Sequence, residues 1–213
     1  MNRIIDLTQM ITPDIPVYPG TETPNISSIS SVETDKFLEH NIHITSHTGT
    51  HIDAPAHIFS KGKGINNYEV SGFIGKGICI DCSQCKEISK EYIEPLISKY
   101  ETFDFILLNT GISVLWESKG YAYELPQLMP GAAQLLASQH IKGVGIDAIS
   151  VESSHSENLE IHNCFLKNEI LIIENLTNLN LLLNVTFTLI CLPLRTICQD
   201  GSPARVIAIT DDE

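Results

Sequence analysis

The chain has 213 residues, 43% of them hydrophobic and 18% charged, and its formal net charge is −13 at pH 7. This length allows a substantial buried core, and we expect a single domain over residues 1–213. An acidic surface repels nucleic acid and anionic membranes, so we expect neither as a partner. Residues 1–10 lack a long apolar core, and the apolar stretch at 181–194 is too short to span a bilayer, so we expect a cytoplasmic protein.

The N-terminal part of the chain predicts a strand, a rigid loop and two further strands. Residues 4–8 are typical of a short strand. Residues 12–20 contain three prolines and end in glycine, which favours a fixed, non-helical loop. Tyr18 in this loop belongs either to a plain connection or to the aromatic wall of a binding pocket. Strands are predicted at 26–32 and 37–45.

The strand at 37–45 is predicted to be half-buried. Ile42 and Ile44 alternate with polar residues, which is the period of a strand with one face in the core. His43 would then share a face with His47. We therefore consider His43 as a possible pocket residue or support for a metal ligand.

A dense group of metal-binding side chains follows this strand. His47, His51, Asp53 and His57 lie within eleven residues, in the spacing His-x3-His-x-Asp-x3-His. Imidazole and carboxylate are the ligands that zinc and similar first-row metals prefer. The alternative is a polar loop with surface histidines, but four donors around glycine and proline favour a metal site.

The metal interpretation requires the chain to bend. In an extended strand, His47 and Asp53 would lie roughly 20 Å apart at ~3.3 Å per residue. Metal bonds of about 2 Å cannot gather side chains spread that far. Gly49 can adopt the dihedral angles of a tight turn, whereas β-branched residues and Pro55 disfavour a long helix. We expect the end of a strand to run into an irregular turn that carries the ligands.

Predicted strands and helices alternate through the middle of the chain. Apolar runs predict strands at 75–81, 103–108 and 144–147. Amphipathic patterns predict helices at 89–99 and 130–140. This alternation, after a start rich in strands, predicts a mixed α/β domain with a central sheet or barrel-like β layer and flanking helices.

A second, sparser group of polar residues lies in the C-terminal third. Glu174 closes the apolar run at 170–173, and His162 lies twelve residues earlier. An unpaired buried carboxylate is costly, so Glu174 should lie at a sheet edge or in a site. Taken alone, these two residues are more typical of structural roles than of metal ligands.

The remaining cysteines and histidines carry weaker signals. Cys82 and Cys85 have a CxxC spacing that can bind metal or cycle between thiol and disulfide, but no second CxxC accompanies them, which favours ordinary thiols. His40, His140 and His155 have no such context and are expected to be surface or structural residues.

The run at 47–57 closely resembles the signature of the metal-dependent cyclase family, which includes bacterial kynurenine formamidases and isatin hydrolases. The resemblance extends to the loop in which Tyr18 precedes Pro-Gly, and to the segment 200–205 before the last predicted strand at 206–210. It implies a swivelling β/β/α-like fold.

The resemblance also implies a ligand set and a proton-transfer residue. A first divalent metal would be held by one group of side chains: His47, His51 and Asp53. Asp53 and Glu174 would bridge to a second metal that His162 also holds. Zinc is expected, with manganese as the alternative, at one or two ions per chain. His57 is the expected general base and acid, or alternatively a further ligand or brace.

The implied activity is hydrolysis of a small amide by metal-activated water. The substrate would be an aryl formamide such as N-formylkynurenine or a cyclic amide such as isatin. Tyr18, where kynurenine formamidases tend to carry tryptophan, and Asn109, where the family usually has a basic residue, leave this choice open. The resemblance also implies a homodimer or a larger homo-oligomer.

Three alternatives remain at this point. The first is a lactone hydrolase or cyclase of the same family. The second is a metal-binding or small-ligand-binding protein that keeps the fold without turnover. The third is a thiol redox protein that uses Cys82 and Cys85.

Overall fold

The computed structural model describes residues 3–118, 120–121, 126–152, 156 and 158–210. The strands are β1 Arg3–Asp6, β2 Asn25–Ser30, β3 Glu39–His43, β4 His51–Asp53, β5 Ile74–Asp81, β6 Glu87–Ile88, β7 Phe105–Asn109, β8 Gln127–Leu128, β9 Gly143–Ile146, β10 Leu171–Glu174, β11 Thr186–Pro193 and β12 Gly201–Thr210. The α-helices are α1 Val32–Asp35, α2 Lys90–Ile97, α3 Pro130–Ala137 and α4 Glu160–Leu166. Short 3-10 helices cover Pro55–His57, Ile65–Asn67, Val70–Phe73, Ile112–Leu115 and Leu179–Leu182.

Seven of these strands close into a barrel. Their order is β12-β11-β5-β7-β9-β10-β4, and β4 returns to pair with β12. Strands β5, β7, β9 and β10 all run parallel to one another, and the other barrel pairings are antiparallel. Strand β1 extends the sheet beyond β12. The prediction of a mixed α/β fold with a barrel-like β layer is confirmed.

Both faces of the parallel strands are buried, which explains their continuous apolar runs. In β7, Phe105 and Leu107 belong to an apolar cluster drawn from strands around the ring, so this cluster fills the barrel. Ile106 and Leu108 point to the opposite face, into the cluster that includes residues of α2, α3 and α4. Gly145 of β9 lies on the crowded inner side, where a Cβ would come within 2.4 Å of Leu107 Cδ2.

The hairpin formed by β2 and β3 differs from the prediction. Every residue of β3 is exposed, and Ile42 has 60% of its surface accessible. Within the described residues this hairpin forms a separate two-stranded sheet. The prediction of a half-buried strand was therefore wrong, because alternation predicts a buried face only where another layer covers it. The strand predicted at 26–32 ends at Ser30, and Val32 begins the single-turn helix α1, which Ser31 caps.

Helix α4 is an element that the sequence patterns did not predict. It begins after Leu159, which has a φ of 49° and provides no side-chain cap. Without a Ser, Thr, Asp or Asn at that position, the usual start signal is missing. Its buried face nevertheless includes Ile161, His162 and Phe165. This helix therefore carries His162 into the interior next to the end of β10.

Within the described ranges, no helix is both long enough and apolar enough to cross a membrane.

Candidate metal centre

The segment that carries the clustered histidines bends as expected. The chain turns through residues 46–50, and Gly49 at its centre has a φ of 62°, in the left-handed region that glycine adopts readily. The turn then leads into β4, a short strand that was not predicted and that contains His51 and Asp53. A 3-10 helix beginning at Pro55 follows and ends at His57.

Strand geometry places three ligand candidates on one side of β4 and its neighbour. His51 and Asp53 are separated by one residue and so point to the same face, while Ile52 between them joins the barrel core. In the antiparallel ladder with β10, Glu174 lies directly opposite His51. Directly opposed residues have neighbouring side chains. Helix α4 brings His162 to the same place.

The expected ligands form two groups that share Asp53. In the first group, His47 Nδ1 lies 2.7 Å and His51 Nε2 3.3 Å from Asp53 Oδ1. In the second, His162 Nε2 lies 3.7 Å from both Asp53 Oδ2 and Glu174 Oε1. Within each group one donor atom from every residue lies within 4.8 Å of the others, which is the spacing of ligands around an ion. His51 Nε2, at 3.5 Å from Glu174 Oε2, links the two groups.

The outward nitrogen of each histidine in these groups is held by an oxygen. His51 Nδ1 lies 2.8 Å from the carbonyl oxygen of Gly49. His162 Nδ1 lies 3.1 Å from Glu152 Oε2, and His47 Nε2 lies 3.2 Å from Asp200 Oδ2. A ring nitrogen that donates to oxygen fixes the tautomer and leaves a lone pair on the other nitrogen. In all three rings that other nitrogen faces the shared carboxylates, as metal ligation requires.

The shared carboxylate, Asp53, also lacks the hydrogen-bond donors that a buried structural carboxylate needs. Asp53 is 1% exposed, and its Oδ1 atom accepts no hydrogen bond within the described residues. His47 Nδ1 is close to this oxygen but is not aligned as a hydrogen-bond donor. A buried acceptor without a donor is costly unless a cation satisfies it. Nitrogen and carboxylate donors suit zinc, manganese and similar divalent ions, so the residues fit such a metal.

Opposite charges lie close together in the centre and shift the pKa values of their neighbours. Burial raises the pKa of Asp53, but the adjacent His51 and His47 outweigh it and hold that pKa well below its usual range. Burial and the charge of Asp53 raise the pKa of Glu174. Burial lowers the pKa of His47, yet the close Asp53 carboxylate and more distant acids raise it to about 9. Protons therefore compensate the carboxylates in the metal-free protein, where a divalent cation would replace them.

A cavity of about 350 Å³ opens above this cluster. Tyr18 and Val17 of the proline-rich loop line one wall, and Ile149 and Leu159 contribute further apolar surface. His57 also lines the cavity, with its ring centroid 4.1 Å from that of His47. It belongs to neither ligand group. The cavity therefore has an apolar wall and a non-ligand histidine over the ligand cluster.

Other predicted residues lie elsewhere. His43 is exposed, 3.4 Å from Glu22, so its interpretation as a pocket residue was wrong. Asn109 is buried and donates to Asp81 Oδ1 at 3.2 Å, away from the cavity. Cys82 is buried and Cys85 half-buried, both as free thiols outside the ligand groups. His40 and His140 are exposed, and His155 lies outside the described residues.

The sequence patterns missed two carboxylates, Glu152 and Asp200, that contact histidines of the candidate ligand groups. Neither has a local spacing to its histidine that a motif would show, since they lie 10 and 153 residues away along the chain. The similarity noted at 200–205 was the only signal pointing to Asp200.

Comparisons with known proteins agree with this arrangement. The Cyclase family model matches residues 5–153. Kynurenine formamidase from Bacillus thuringiensis (strain Al Hakam) is 32% identical over 209 residues, covering 95% of each chain. Isatin hydrolase A from Labrenzia aggregata, solved with benzyl benzoate, has a TM-score of 0.88 and 26% identity, covering 99% of this chain and 94% of that one. A solved potential metal-dependent hydrolase with cyclase activity has a TM-score of 0.84 and 27% identity, covering 100% of both chains.

Proposed function

This chain belongs to the Cyclase family, and from that premise we propose that it hydrolyses a small, uncharged aryl amide with the help of a divalent metal. The observation that carries the proposal is the pair of ligand groups joined by Asp53 at the base of an apolar cavity. The relatives support a metal-dependent amide hydrolase, and the cavity supports the narrower substrate class.

The ligand residues and His57 divide the work of hydrolysis between them. When bound, a divalent metal lowers the pKa of a coordinated water toward neutrality and polarises a carbonyl oxygen. Asp53 and Glu174 supply the negative charge that retains such an ion. His51 and His162 present their Nε2 atoms with the tautomer fixed by the oxygens behind them.

His57 is the proposed proton-transfer residue. Burial lowers the pKa of His57 from its usual 6.5, and this effect is larger than the opposite effect of the nearby Asp53 charge. Its imidazole is therefore neutral at pH 7 and has a nitrogen lone pair free to accept a proton. That nitrogen takes the proton from the attacking water and returns it to the amide nitrogen as the C–N bond breaks.

The cavity lining favours an uncharged substrate. None of the described residues that line it is a lysine or an arginine. A substrate with a free carboxylate, such as N-formylkynurenine, would therefore find no lysine or arginine to pair with in this lining. Isatin and simple aryl formamides carry no such charge, and their rings match the apolar surface of Val17, Tyr18 and Ile149.

Metal analysis and a substrate series test the proposal together. We expect bound divalent metal, turnover of isatin or formanilide that stops on chelation and returns on adding metal, and a lower kcat/KM for N-formylkynurenine. N-formylanthranilate separates charge from size, since it adds a carboxylate to formanilide. Turnover without metal would contradict the mechanism, and a clear preference for N-formylkynurenine would contradict the proposed class of uncharged substrates.

The expected homo-oligomer and cytoplasmic location stay predictions.

A further inference from the structure

Behind each ligand group lies one carboxylate that contacts a histidine from the side away from the cluster. Asp200 contacts His47 of the first group, and Glu152 contacts His162 of the second. His51 differs, since a backbone carbonyl holds its outer nitrogen. A carboxylate behind a ligating histidine orients the ring and makes its ligand nitrogen more basic.

Glu152 does two things with one oxygen atom. Its Oε2 accepts hydrogen bonds from the backbone N–H groups of Ile161 and His162, at 3.0 and 3.2 Å, and lies 3.1 Å from His162 Nδ1. Helix α4 has no cap of its own at Leu159, so this oxygen satisfies the start of the helix and orients its imidazole. Glu152 is 5% exposed.

The residue before Glu152 extends this support to the other member of the second group. The backbone N–H of Val151 donates to Glu174 Oε1 at 2.8 Å. Two consecutive residues of one loop therefore hold His162 and Glu174, which come from different elements. Because these contacts are made to the second group, a substitution of Glu152 should weaken metal binding at that group first.

Asp200 provides the matching support on the other side. It directly precedes β12, and its Oδ2 accepts a hydrogen bond from Ser46 and contacts His47 Nε2. Its backbone carbonyl accepts from Ala54, just after β4. It therefore fixes the turn that carries His47 against the strand that carries Asp53. Its contacts are made to the first group alone.

We propose that Glu152 and Asp200 are positioning residues that separately control the two metal positions: Glu152 the position at His162 and Glu174, and Asp200 the position at His47. The proposal rests on the metal centre of the proposed function but not on its substrate. It requires two ions with separable affinities and does not require either carboxylate to touch an ion.

Metal titration of the purified, metal-free full chain tests this. Cobalt(II) is the probe, because its visible absorption reports ligation, and a competing chelator indicator gives the affinity. We expect the unsubstituted protein to bind two equivalents. Glu152→Gln should weaken one equivalent about 10- to 100-fold, and Asp200→Asn should weaken the other by a similar factor. Glu117→Gln and Asp14→Asn, exposed residues of the same types, should change neither.

Combination with a ligand variant assigns each equivalent to its group. In a Glu174→Gln background, which removes the second position, Asp200→Asn should still weaken the remaining equivalent and Glu152→Gln should not. In a His47→Ala background the two variants should exchange roles. Ser46→Ala removes a hydroxyl from Asp200 but not its contact with His47, so it should leave both affinities within about threefold, far below the effect of losing an outer carboxylate.

Several results would overturn the inference. The unsubstituted protein could bind only one equivalent of cobalt. Either variant could weaken both equivalents equally, or neither variant could weaken any. Circular dichroism confirms that each variant is folded, and if Glu152→Gln is not, Asp200→Asn decides the matter alone. Failure of the proposed function looks different, because metal would then bind in two steps without any amide turnover.

Discussion

Two buried aspartates of this protein, Asp53 and Asp147, are alike in burial and opposite in their surroundings. Asp53 is 1% exposed at the end of β4, and Asp147 is 0% exposed just after β9. Asp147 accepts hydrogen bonds from the backbone N–H groups of Thr110 and Gly111 at 2.8 and 2.9 Å, and from the hydroxyls of Thr110 and Ser113 at 2.6 and 3.3 Å.

Asp53 has imidazoles where Asp147 has hydrogen-bond donors. The rings of His47, His51 and His162 surround it, and each uses its outer nitrogen elsewhere. Burial of a carboxylate alone therefore does not identify a functional site. What identifies it is whether local N–H and O–H groups already satisfy the charge, as they do for Asp147, or leave it to a cation.

The largest expected effect follows from replacing the shared ligand. Asp53→Asn removes one negative charge from both ligand groups, so the variant should lose both metal ions and all measurable amide turnover. Metal analysis after dialysis and an isatin hydrolysis assay check this. Full metal content in the variant would show that Asp53 is not the bridge between the groups.

Loss of the proton-transfer residue should separate metal binding from turnover. His57→Ala leaves both ligand groups intact, so metal content should stay unchanged while kcat falls about 100-fold or more, the usual scale for such a residue. His51→Ala is the matched comparison and should lose metal and activity together. If the two variants exchange these behaviours, the roles assigned to the two histidines are wrong.

The metal-free protein should lose stability as pH rises. The pKa of His47 is raised from 6.5 to about 9 in the folded state, so the charged cluster stabilises fully below 6.5 and ceases to stabilise as pH passes about 9. Across this pH range the free energy of unfolding should fall by at most about 3 kcal/mol. Urea unfolding of the chelated protein from pH 6 to 9.5 measures it. The slope should persist in Asp147→Asn and flatten in Asp53→Asn.

Asp147→Asn should affect the fold rather than the chemistry. One amide oxygen cannot accept all the hydrogen bonds that the two carboxylate oxygens accept, so the free energy of unfolding should fall by roughly 1–3 kcal/mol. Metal content per folded chain should remain that of the unsubstituted protein. Loss of metal without loss of stability would make Asp147 part of the metal centre and not a structural carboxylate.

The smallest effect is expected at the CxxC pair. Cys85→Ser changes a half-buried thiol outside both ligand groups, so metal content and turnover should stay the same within error. Cys82 is fully buried, and burial raises the pKa of its thiol, which disfavours the reactive thiolate. A marked loss of metal or activity in Cys85→Ser would revive the thiol interpretation.

The parts of the fold that the sequence predicted correctly depend on local signals. The apolar runs of β5, β7 and β9 are long enough to indicate buried parallel strands, and Ser89 marks the start of α2. The prediction that β3 is half-buried was wrong because alternation with a period of two indicates a strand but does not show whether another layer covers it. Helix α4 was not predicted because Glu152, whose carboxylate accepts hydrogen bonds from the backbone N–H groups of its first turn, lies in the loop before the helix.

The same limit applies to the candidate metal centre. His47, His51 and Asp53 lie close together in the chain, so their spacing alone pointed to a shared ion. His162 and Glu174 were weak candidates without the family resemblance, because they meet the first group only through the ladder between β10 and β4 and the packing of α4. Glu152 and Asp200 depend on tertiary contacts and were invisible to spacing.

An anomalous difference map from crystals of the zinc-loaded protein, recorded at the zinc absorption edge, would locate the metal positions. We expect two peaks on either side of Asp53, one among His47, His51 and Asp53, the other among Asp53, His162 and Glu174. A peak coordinated by Cys82 and Cys85, or no peak next to Asp53, would contradict this expectation.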